Sequence, residues 1–373
     1  MRYSRKSDIQ TAMLQDAQKI KPVLVRRLLA WYRSNRRLLP WRETTDPYRI
    51  WVSEVMLQQT RVDTVIPFYH RFIKVFPTVH DLANALPQDV MKSWENMGYY
   101  SRARNLHAAS RIIVDRWQGR IPSKPEDLRT LPGIGEYSAG AIASIAYGKA
   151  VPAVDGNIRR ILCRIFAIRK PVDNPGEQKK LAELAASLIS TKCPGDFNQA
   201  LMDLGATVCK ARKTDCSLCP LSGLCRAYLQ NLQDILPVTV KSRPVPHRLA
   251  AAAVIYDEKG RLLFVQRPDS GLLASLWKMP GGFVENMKII EENLKQAVKK
   301  ELDITIGIDR PLASRQHAYT HFRLTLFSFA CHLQKGKPRP LGCQKWRWVS
   351  ASDLNKLPLS KIDRMILKTL DHG

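Results

Sequence analysis

Cys209-Lys-Ala-Arg-Lys-Thr-Asp-Cys216-Ser-Leu-Cys219-Pro-Leu-Ser-Gly-Leu-Cys225 is the stretch whose reading decides the fold of the larger part of this chain. Four of the eight cysteines fall in this one loop, separated by six, two and five residues. Cys163, Cys193, Cys331 and Cys343 are scattered. A chain of 373 residues can build cores without disulfides, so a tight cluster of thiols points to metal. Four thiolates suit a zinc ion or an iron–sulfur cluster. Zinc sites often pair two short Cys-x2-Cys knuckles, and this loop has one such pair. The loop also carries Lys210, Arg212, Lys213 and then Arg226. Its role therefore reads as structural, bracing cations near a polyanion.

Upstream of the loop the pattern is helical, from about Val23 to Tyr228. Apolar residues recur at three and four over stretches such as 62–76 and 178–189. Pro40, Pro47, Pro77, Pro87, Pro122, Pro132, Pro152 and Pro171 break the run into short helices. Between two of these helices lies Leu131-Pro-Gly-Ile-Gly135-Glu-Tyr137-Ser-Ala-Gly140-Ala. Gly133 and Gly135 permit positive φ and a bare backbone, and their N–H groups, with those of the next first turn, can face a phosphate. Ala139, Gly140 and Ala141 let that helix pack closely. Pro-Gly-x-Gly also occurs in plain inter-helix turns, and the motif gains weight from the cysteine loop downstream.

Two carboxylates stand out. Asp155, in Val151-Pro-Ala-Val-Asp-Gly-Asn157, precedes a helix over 158–168 and sits at its N-cap. The residue can serve as a cap alone. A cap does not exclude catalysis, because helix N–H donors and the positive helix end favour the ionised form. A fixed anion below a sugar stabilises a developing oxocarbenium ion. Glu54 lies in Trp51-Val-Ser-Glu-Val-Met-Leu-Gln-Gln59-Thr60, on a helix expected to start at the Asp46 cap with Pro47 first. It is the one charge between Arg49 and Arg61. Read as exposed, it is an ordinary helix glutamate. Read as buried, it has a raised pKa and can protonate a leaving base.

The balance of charge agrees with a nucleic-acid partner. Lys and Arg number 59 against 33 Asp and Glu, a net charge of +26. A polyanion is the simplest counterpart, with a ribosome- or membrane-associated basic protein as the alternative. No apolar run reaches membrane-spanning length, and the polar start Met1–Asp8 has no signal-peptide core. A soluble, cytoplasmic, DNA-associated monomer is expected.

Downstream the character changes. Residues 231–248 form a basic, Pro-rich linker with Pro237, Pro244 and Pro246 among Lys241, Arg243, His247 and Arg248. Beyond it the pattern is mixed α/β, with strands over 250–256, 262–267 and 322–331 and a helix over 289–302. Three parts follow: a helical domain over 1–230 with the hairpin at 131–140 and the thiol loop at 209–225, the linker, and a smaller α/β domain over 249–373.

These pieces stand in the order found in the MutY-type adenine DNA glycosylase family, within the helix-hairpin-helix, iron–sulfur endonuclease III superfamily. The resemblance runs from Pro40 to about Leu354. It implies a mostly α helix-hairpin-helix glycosylase core with a 4Fe–4S loop, plus a C-terminal α/β MutT-like (Nudix-fold) domain. The cluster ligands would be Cys209, Cys216, Cys219 and Cys225. The implied general acid is Glu54, the catalytic aspartate Asp155, the hairpin tyrosine Tyr137 and the active-site asparagine Asn157. Arg42 of Pro-Trp-Arg matches an arginine near the pocket. Gln59, Thr60, Met97 and Tyr99 match residues that wedge the duplex and contact the lesion strand. The implied activity is hydrolysis of the adenine N-glycosidic bond opposite 8-oxoguanine or guanine in double-stranded DNA.

One position separates branches of the superfamily. The bifunctional branch carries a Schiff-base lysine in the hairpin helix, where this chain has Tyr137. A monofunctional enzyme with weak or no lyase activity is expected, although Lys149 offers a substitute amine. In the α/β part, Gly281-Gly282 and the helix after it resemble a Nudix box. The box's first glutamate position holds Lys288, its Arg-Glu pair falls on Gln296 and Ala297, and its Glu pair on Lys300 and Glu301, so one carboxylate remains and a lysine faces where the metal would bind. The fold is expected to be kept and the hydrolase chemistry lost. In place of the family's Phe-Ser-His lesion-reading loop stands Tyr319-Thr320-His321. Two rival readings remain. A glycosylase–lyase for oxidised pyrimidines is disfavoured by Tyr137 and by the extra domain. A non-catalytic DNA-binding protein would tolerate loss of both carboxylates.

Overall fold

A computed structural model describes residues 4–238 and 244–370, with side chains from Gln10 onward. Lys241 and Arg243 of the expected linker lie outside the described residues. Contacts gather the chain into two compact units, one of Met1–Ala83 with Ala108–Ser242 and one of Asn84–His107 with Arg243–Gly373. The sequence reading has a contiguous helical domain over 1–230. The structure instead groups a 24-residue stretch of that region with the C-terminal part. The linker also differs: Arg164 donates to the carbonyl of buried Leu236 at 2.9 Å, and residues 247–249 already belong to a strand.

The helices in chain order are α1 (Ser4–Asn35), α2 (Pro47–Leu57), α3 (Val62–Val75), α4 (Val79–Asn84), α5 (Pro87–Ser93), α6 (Ser101–Trp117), α7 (Pro125–Arg129), α8 (Glu136–Tyr147), α9 (Gly156–Ile165), α10 (Pro175–Leu188), α11 (Pro194–Thr207) and α12 (Arg226–Leu229). α1 starts well before the expected Val23 and continues through Pro22. Its register explains the extension: Ala17, Leu24 and Leu28 face one core with Ile161 and Leu162 of α9, Leu184 of α10 and Leu201 of α11. Each such leucine or isoleucine contributes roughly 1.5–3 kcal/mol on burial. α2 packs on α8, and α11 packs on both α8 and α9. α8 gets close because of Gly140, where a Cβ would stand 2.2 Å from the Pro152 carbonyl oxygen.

The second unit carries β1 (His247–Ile255), β2 (Leu262–Gln266), β3 (Trp277–Lys278), β4 (Gly281–Val284), β5 (Thr305–Ala318), β6 (Arg323–Lys335) and β7 (Lys345–Val349), with α13 (Ile290–Leu302) and α14 (Lys361–Leu370). One sheet has the order β4-β1-β6-β5 and the other β3-β2-β7. β1 runs parallel to β6 and antiparallel to β4. Its side chains alternate between two cores: Ala250, Ala252 and Val254 on one face, Ala251, Ala253 and Ile255 on the other. Burial on both faces makes this strand a continuous apolar run. β5 escapes sequence detection because its pattern is broken by register shifts at Ile308/Arg310 and Pro311/Ala313. Among the described residues no helix is long and apolar enough to cross a membrane.

Candidate active site

α2 begins as expected, with Asp46 capping it by accepting from Tyr48 N at 2.9 Å and Pro47 in its first turn. The helix face that packs on α8 carries Glu54, which is 4% exposed. α8 begins at Glu136, so Tyr137 lies in its first turn, where its hydroxyl donates to Glu54 Oε2 at 2.6 Å. One turn further along α2, Gln58 donates to Ser138 Oγ at 3.1 Å and ties the two helices together. Burial pushes the Glu54 carboxyl up to about 7. The nearby Asp155 charge adds to this, while the Tyr137 hydrogen bond and Arg42 oppose it. Tyr137 itself is raised well above its ordinary value by burial and by both carboxylates, so it remains a neutral donor.

Asp155 is the N-cap of α9, its Oδ1 accepting from Ile158 N at 2.7 Å. Asn157 Nδ2 donates to Oδ2 at 2.8 Å. Burial raises the Asp155 carboxyl, against hydrogen bonds from Ile158 and Asn157 and the charge of Arg160. The cap donors favour the anion, as the sequence reading expects, while burial acts against them and raises the carboxyl. The same donors fix the orientation of the carboxylate. Asn157 is fixed in turn by Arg160, which donates to its Oδ1 at 2.9 Å and to the Gly205 carbonyl at 2.7 Å. Gly205 is required here, because a Cβ would lie 2.5 Å from Cβ of Asn157.

Glu54, Tyr137, Asp155, Asn157, Arg42 and Thr60 line one cavity of about 410 Å³. That volume falls in the range of roughly 300–1,000 Å³ typical of small-ligand sites. Gln59 lies outside the lining, exposed at the end of α2 with φ +56°. Arg42 does not present a free cation to the cavity. Its guanidinium forks onto Asp203 at 2.6 and 2.9 Å and stacks over Tyr32. Asp203 is fully buried on α11 and also accepts from Arg37. Sequence reasoning missed Asp203 and Arg37. Asp203, a lone charge among Leu201, Met202 and Leu204, carries the same signal that picked out Glu54.

In the hairpin, Gly133 has φ +79° and needs the freedom of glycine, whereas Gly135 is extended at φ −93° and caps α8. Both are exposed. In the loop Cys209–Cys225 the thiols affect one another: Cys219 is raised to about 12, first by burial and then by Cys209, Cys225 and Cys216. Buried Arg164 donates to Cys209 Sγ at 3.1 Å, and Arg160 donates to its carbonyl. Among the described residues no three His, Cys, Asp or Glu side chains are arranged to hold one metal ion.

In the second unit, Met97, Tyr99, Thr320 and His321 line one cavity of about 440 Å³. Tyr99 Oη and Thr320 Oγ1 are 2.6 Å apart. His321 is exposed, while Met97 is buried. The ring of Tyr319 is taken up by stacking on Phe322 at 4.9 Å. In the Nudix-like segment, the lone Glu301 is engaged by Lys278 Nζ at 2.8 Å and by Gly281 N–H at 3.1 Å. The lysine that meets Glu301 is thus Lys278 of β3, and Lys300 is exposed.

The HhH-GPD superfamily of base excision DNA repair proteins matches residues 52–187, and a NUDIX domain matches 251–369. A solved thermostable thymine-DNA glycosylase is similar over 57% of this chain and 98% of its own, with a TM-score of 0.52 and 30% identity. An endonuclease III in a non-covalent complex with DNA has the same fold, with a TM-score of 0.50 and 22% identity over 58% of this chain and 98% of that one. Helical core, hairpin, acid-lined cavity and these matches together define a helix-hairpin-helix DNA N-glycosylase with a NUDIX-fold C-terminal domain. Human adenine DNA glycosylase is 34% identical, the alignment covering 91% of this chain and 72% of the human protein. The mouse protein of the same name is 36% identical over 86% of this chain and 73% of its own. The chain belongs to the adenine DNA glycosylase family and is a base-excision repair enzyme that removes adenine.

Proposed function

We propose that this enzyme hydrolyses the N-glycosidic bond of adenine mispaired with 8-oxoguanine or guanine, with weak or no lyase activity. The observation that carries this reading is Glu54, a buried carboxyl with a pKa near 7, hydrogen-bonded to Tyr137 in the same cavity as Asp155. Adenine is out of reach in a stacked duplex and must be flipped into the cavity. Tyr137 holds Oε2 of Glu54, so the proton travels on the other oxygen to a ring nitrogen of the base, N7 in this reading. The C1′–N9 bond then breaks with its electron pair going to the base. Asp155, as the anion organised by Ile158 N–H and Asn157, stabilises the sugar cation or bonds to it transiently. Water completes the hydrolysis and returns a proton to a carboxylate.

The absence of a lyase step follows from Tyr137 at the hairpin position where an imine-forming amine would stand. Lys149 is exposed and is not among the residues lining the cavity. Gly133, Gly135 and the first turn of α8 take a phosphate of the DNA backbone, so binding weakens with salt. Thr320, His321, Tyr99 and Met97 of the second unit contact the strand opposite adenine, and Gln59 and Thr60 of the first are DNA-contacting residues in their own right. Cys209, Cys216, Cys219 and Cys225 hold a 4Fe–4S cluster. Four soft thiols in one loop, spaced by six, two and five residues, support a polynuclear cluster in this reading, and Arg164 holds Cys209 Sγ. The cluster braces the cationic loop, and hydrolysis needs no electron from it.

Single-turnover assays on duplexes bearing adenine opposite 8-oxoguanine, adenine opposite guanine, and thymine glycol test this, each with and without alkali. Adenine should be lost from the first two, with strand breaks only after alkali. Glu54→Gln and Asp155→Asn should each slow excision by roughly 10²–10⁴-fold while duplex binding persists. Strand cleavage before alkali, or unchanged rates in both variants, defeats the proposal.

A further inference from the structure

We propose that Glu95 and Arg364 form a latch that positions Tyr99 against Thr320, so that chain segments more than 200 residues apart read the strand opposite adenine as one device. The inference rests on the reading of this unit as the lesion reader. It begins with the grouping of Asn84–His107 with the NUDIX-fold part of the chain. Within that unit, Arg364 of α14 donates to Glu95 Oε1 at 2.6 Å. Its other nitrogens donate to the carbonyls of Leu354 at 2.9 Å and Leu357 at 2.7 Å. Glu95 is 6% exposed and is also paired with Lys92. A carboxylate this buried is costly without its cations, so the arrangement is held in one geometry. Arg104 donates to the Ala274 carbonyl at 2.9 Å, and Tyr100 to the Leu359 carbonyl at 3.4 Å.

These anchors surround a strained turn. Asn96 at φ +73° and Tyr99 at φ +49° adopt backbone that side-chain-bearing residues rarely take, on either side of Gly98 at φ +78°. Such strain persists only where the surroundings over-determine it. Trp94 Nε1 and Arg102 both donate to the Gly98 carbonyl, and the Arg102 guanidinium lies over the Tyr99 ring at 5.0 Å. The outcome is a tyrosine that is 40% exposed yet aimed, with its hydroxyl on Thr320. Glu95 and Arg364 are positioning residues, acting through Tyr99.

The test compares Arg364→Ala, Arg364→Lys, Glu95→Gln, Thr320→Ala and the double variant Arg364→Ala/Thr320→Ala in the full chain. Binding to a duplex with adenine opposite 8-oxoguanine, single-turnover excision at saturating enzyme, and amide hydrogen exchange are measured. Arg364→Ala should weaken binding about tenfold and leave the saturated excision rate within about twofold. Arg364→Lys should recover part of the loss. The double variant should be no worse than its weaker parent within about twofold, because both substitutions disable one device. Exchange over residues 97–102 should quicken while that of the Cys209–Cys225 loop does not. If Arg364→Ala fails to fold, Glu95→Gln and Arg364→Lys carry the same readouts. Wild-type binding in the Glu95 and Arg364 variants alongside a Thr320→Ala defect sinks the latch and leaves the lesion reading standing. Strictly additive losses also sink it. Wild-type binding in every variant, Thr320→Ala included, sinks the lesion reading as well.

Discussion

Glu54 in the helical unit is a buried carboxyl and Glu301 in the NUDIX-fold unit a partly buried one, and their surroundings give them opposite partners. Glu54 meets a neutral donor, Tyr137, and the cation that acts on it, Arg42, is already held by Asp203. Burial then dominates and the acid titrates near 7. Glu301 meets Lys278 directly, with Gly281 N–H as a second donor. Burial lowers the Lys278 pKa and Glu301 raises it, so the two charges are held as a pair. One carboxyl can exchange a proton; the other is spent on an internal cation. The difference shows that burial makes a carboxyl reactive only where the fold also keeps cations away from it or occupied elsewhere.

The comparison can be broken most sharply at Asp203. Asp203→Asn leaves Arg42 and Arg37 without their counter-charge, and breaking a buried pair in this way costs about 3–5 kcal/mol. The released Arg42 should also pull the Glu54 carboxyl below about 7, moving the alkaline fall of single-turnover excision to lower pH. Denaturant melts and a pH–rate profile check both parts, and an unmoved profile would show that Arg42 does not act on Glu54. A smaller effect is expected at the other carboxyl. Lys278→Met strands Glu301 and should cost about 3 kcal/mol, whereas Lys278→Met with Glu301→Leu should come close to wild type. Equal losses in the single and double variants would contradict the pairing.

The smallest effect sharpens the comparison through pH. Folded Glu54 binds its proton more tightly than an ordinary carboxyl at 4.5, so the native state holds more protons than the unfolded chain between 4.5 and about 7. Stability associated with this group is therefore fully present below 4.5 and is lost as pH rises through about 7. Glu54→Gln should abolish that loss and stabilise the protein at pH 8 by about 2 kcal/mol, a gain in stability at the expense of activity. Melts of the two proteins at pH 5 and pH 8 read this directly, and a gap that does not widen with pH would refute the assignment.

Much of the site was legible before any tertiary contact was known. Spacing alone isolated the thiol loop, Asp155 at a cap and Glu54 as a lone charge in an apolar helix, because each is a pattern within one element. The structure brings Glu54, Tyr137, Asp155, Asn157, Arg42 and Thr60 to one cavity. Gln59 and Met97 were less legible. Exposure at a helix end and burial within a turn are set by how a segment packs, and their neighbours in sequence do not encode it.

The amino-acid sequence by itself determined the helical core, the hairpin, the thiol-rich loop, the apolar strands and the candidate acids, since periodicity, turn chemistry and residue spacing act locally. Only the tertiary structure decided that Asp203 occupies Arg42, that burial outweighs the cap at Asp155, that Lys278 stands on Glu301, and that Asn84–His107 joins the C-terminal unit. The charge pairs among these join residues from 23 to 269 positions apart, and the desolvation at Asp155 comes from burial; such terms exist only once the chain has brought the groups together.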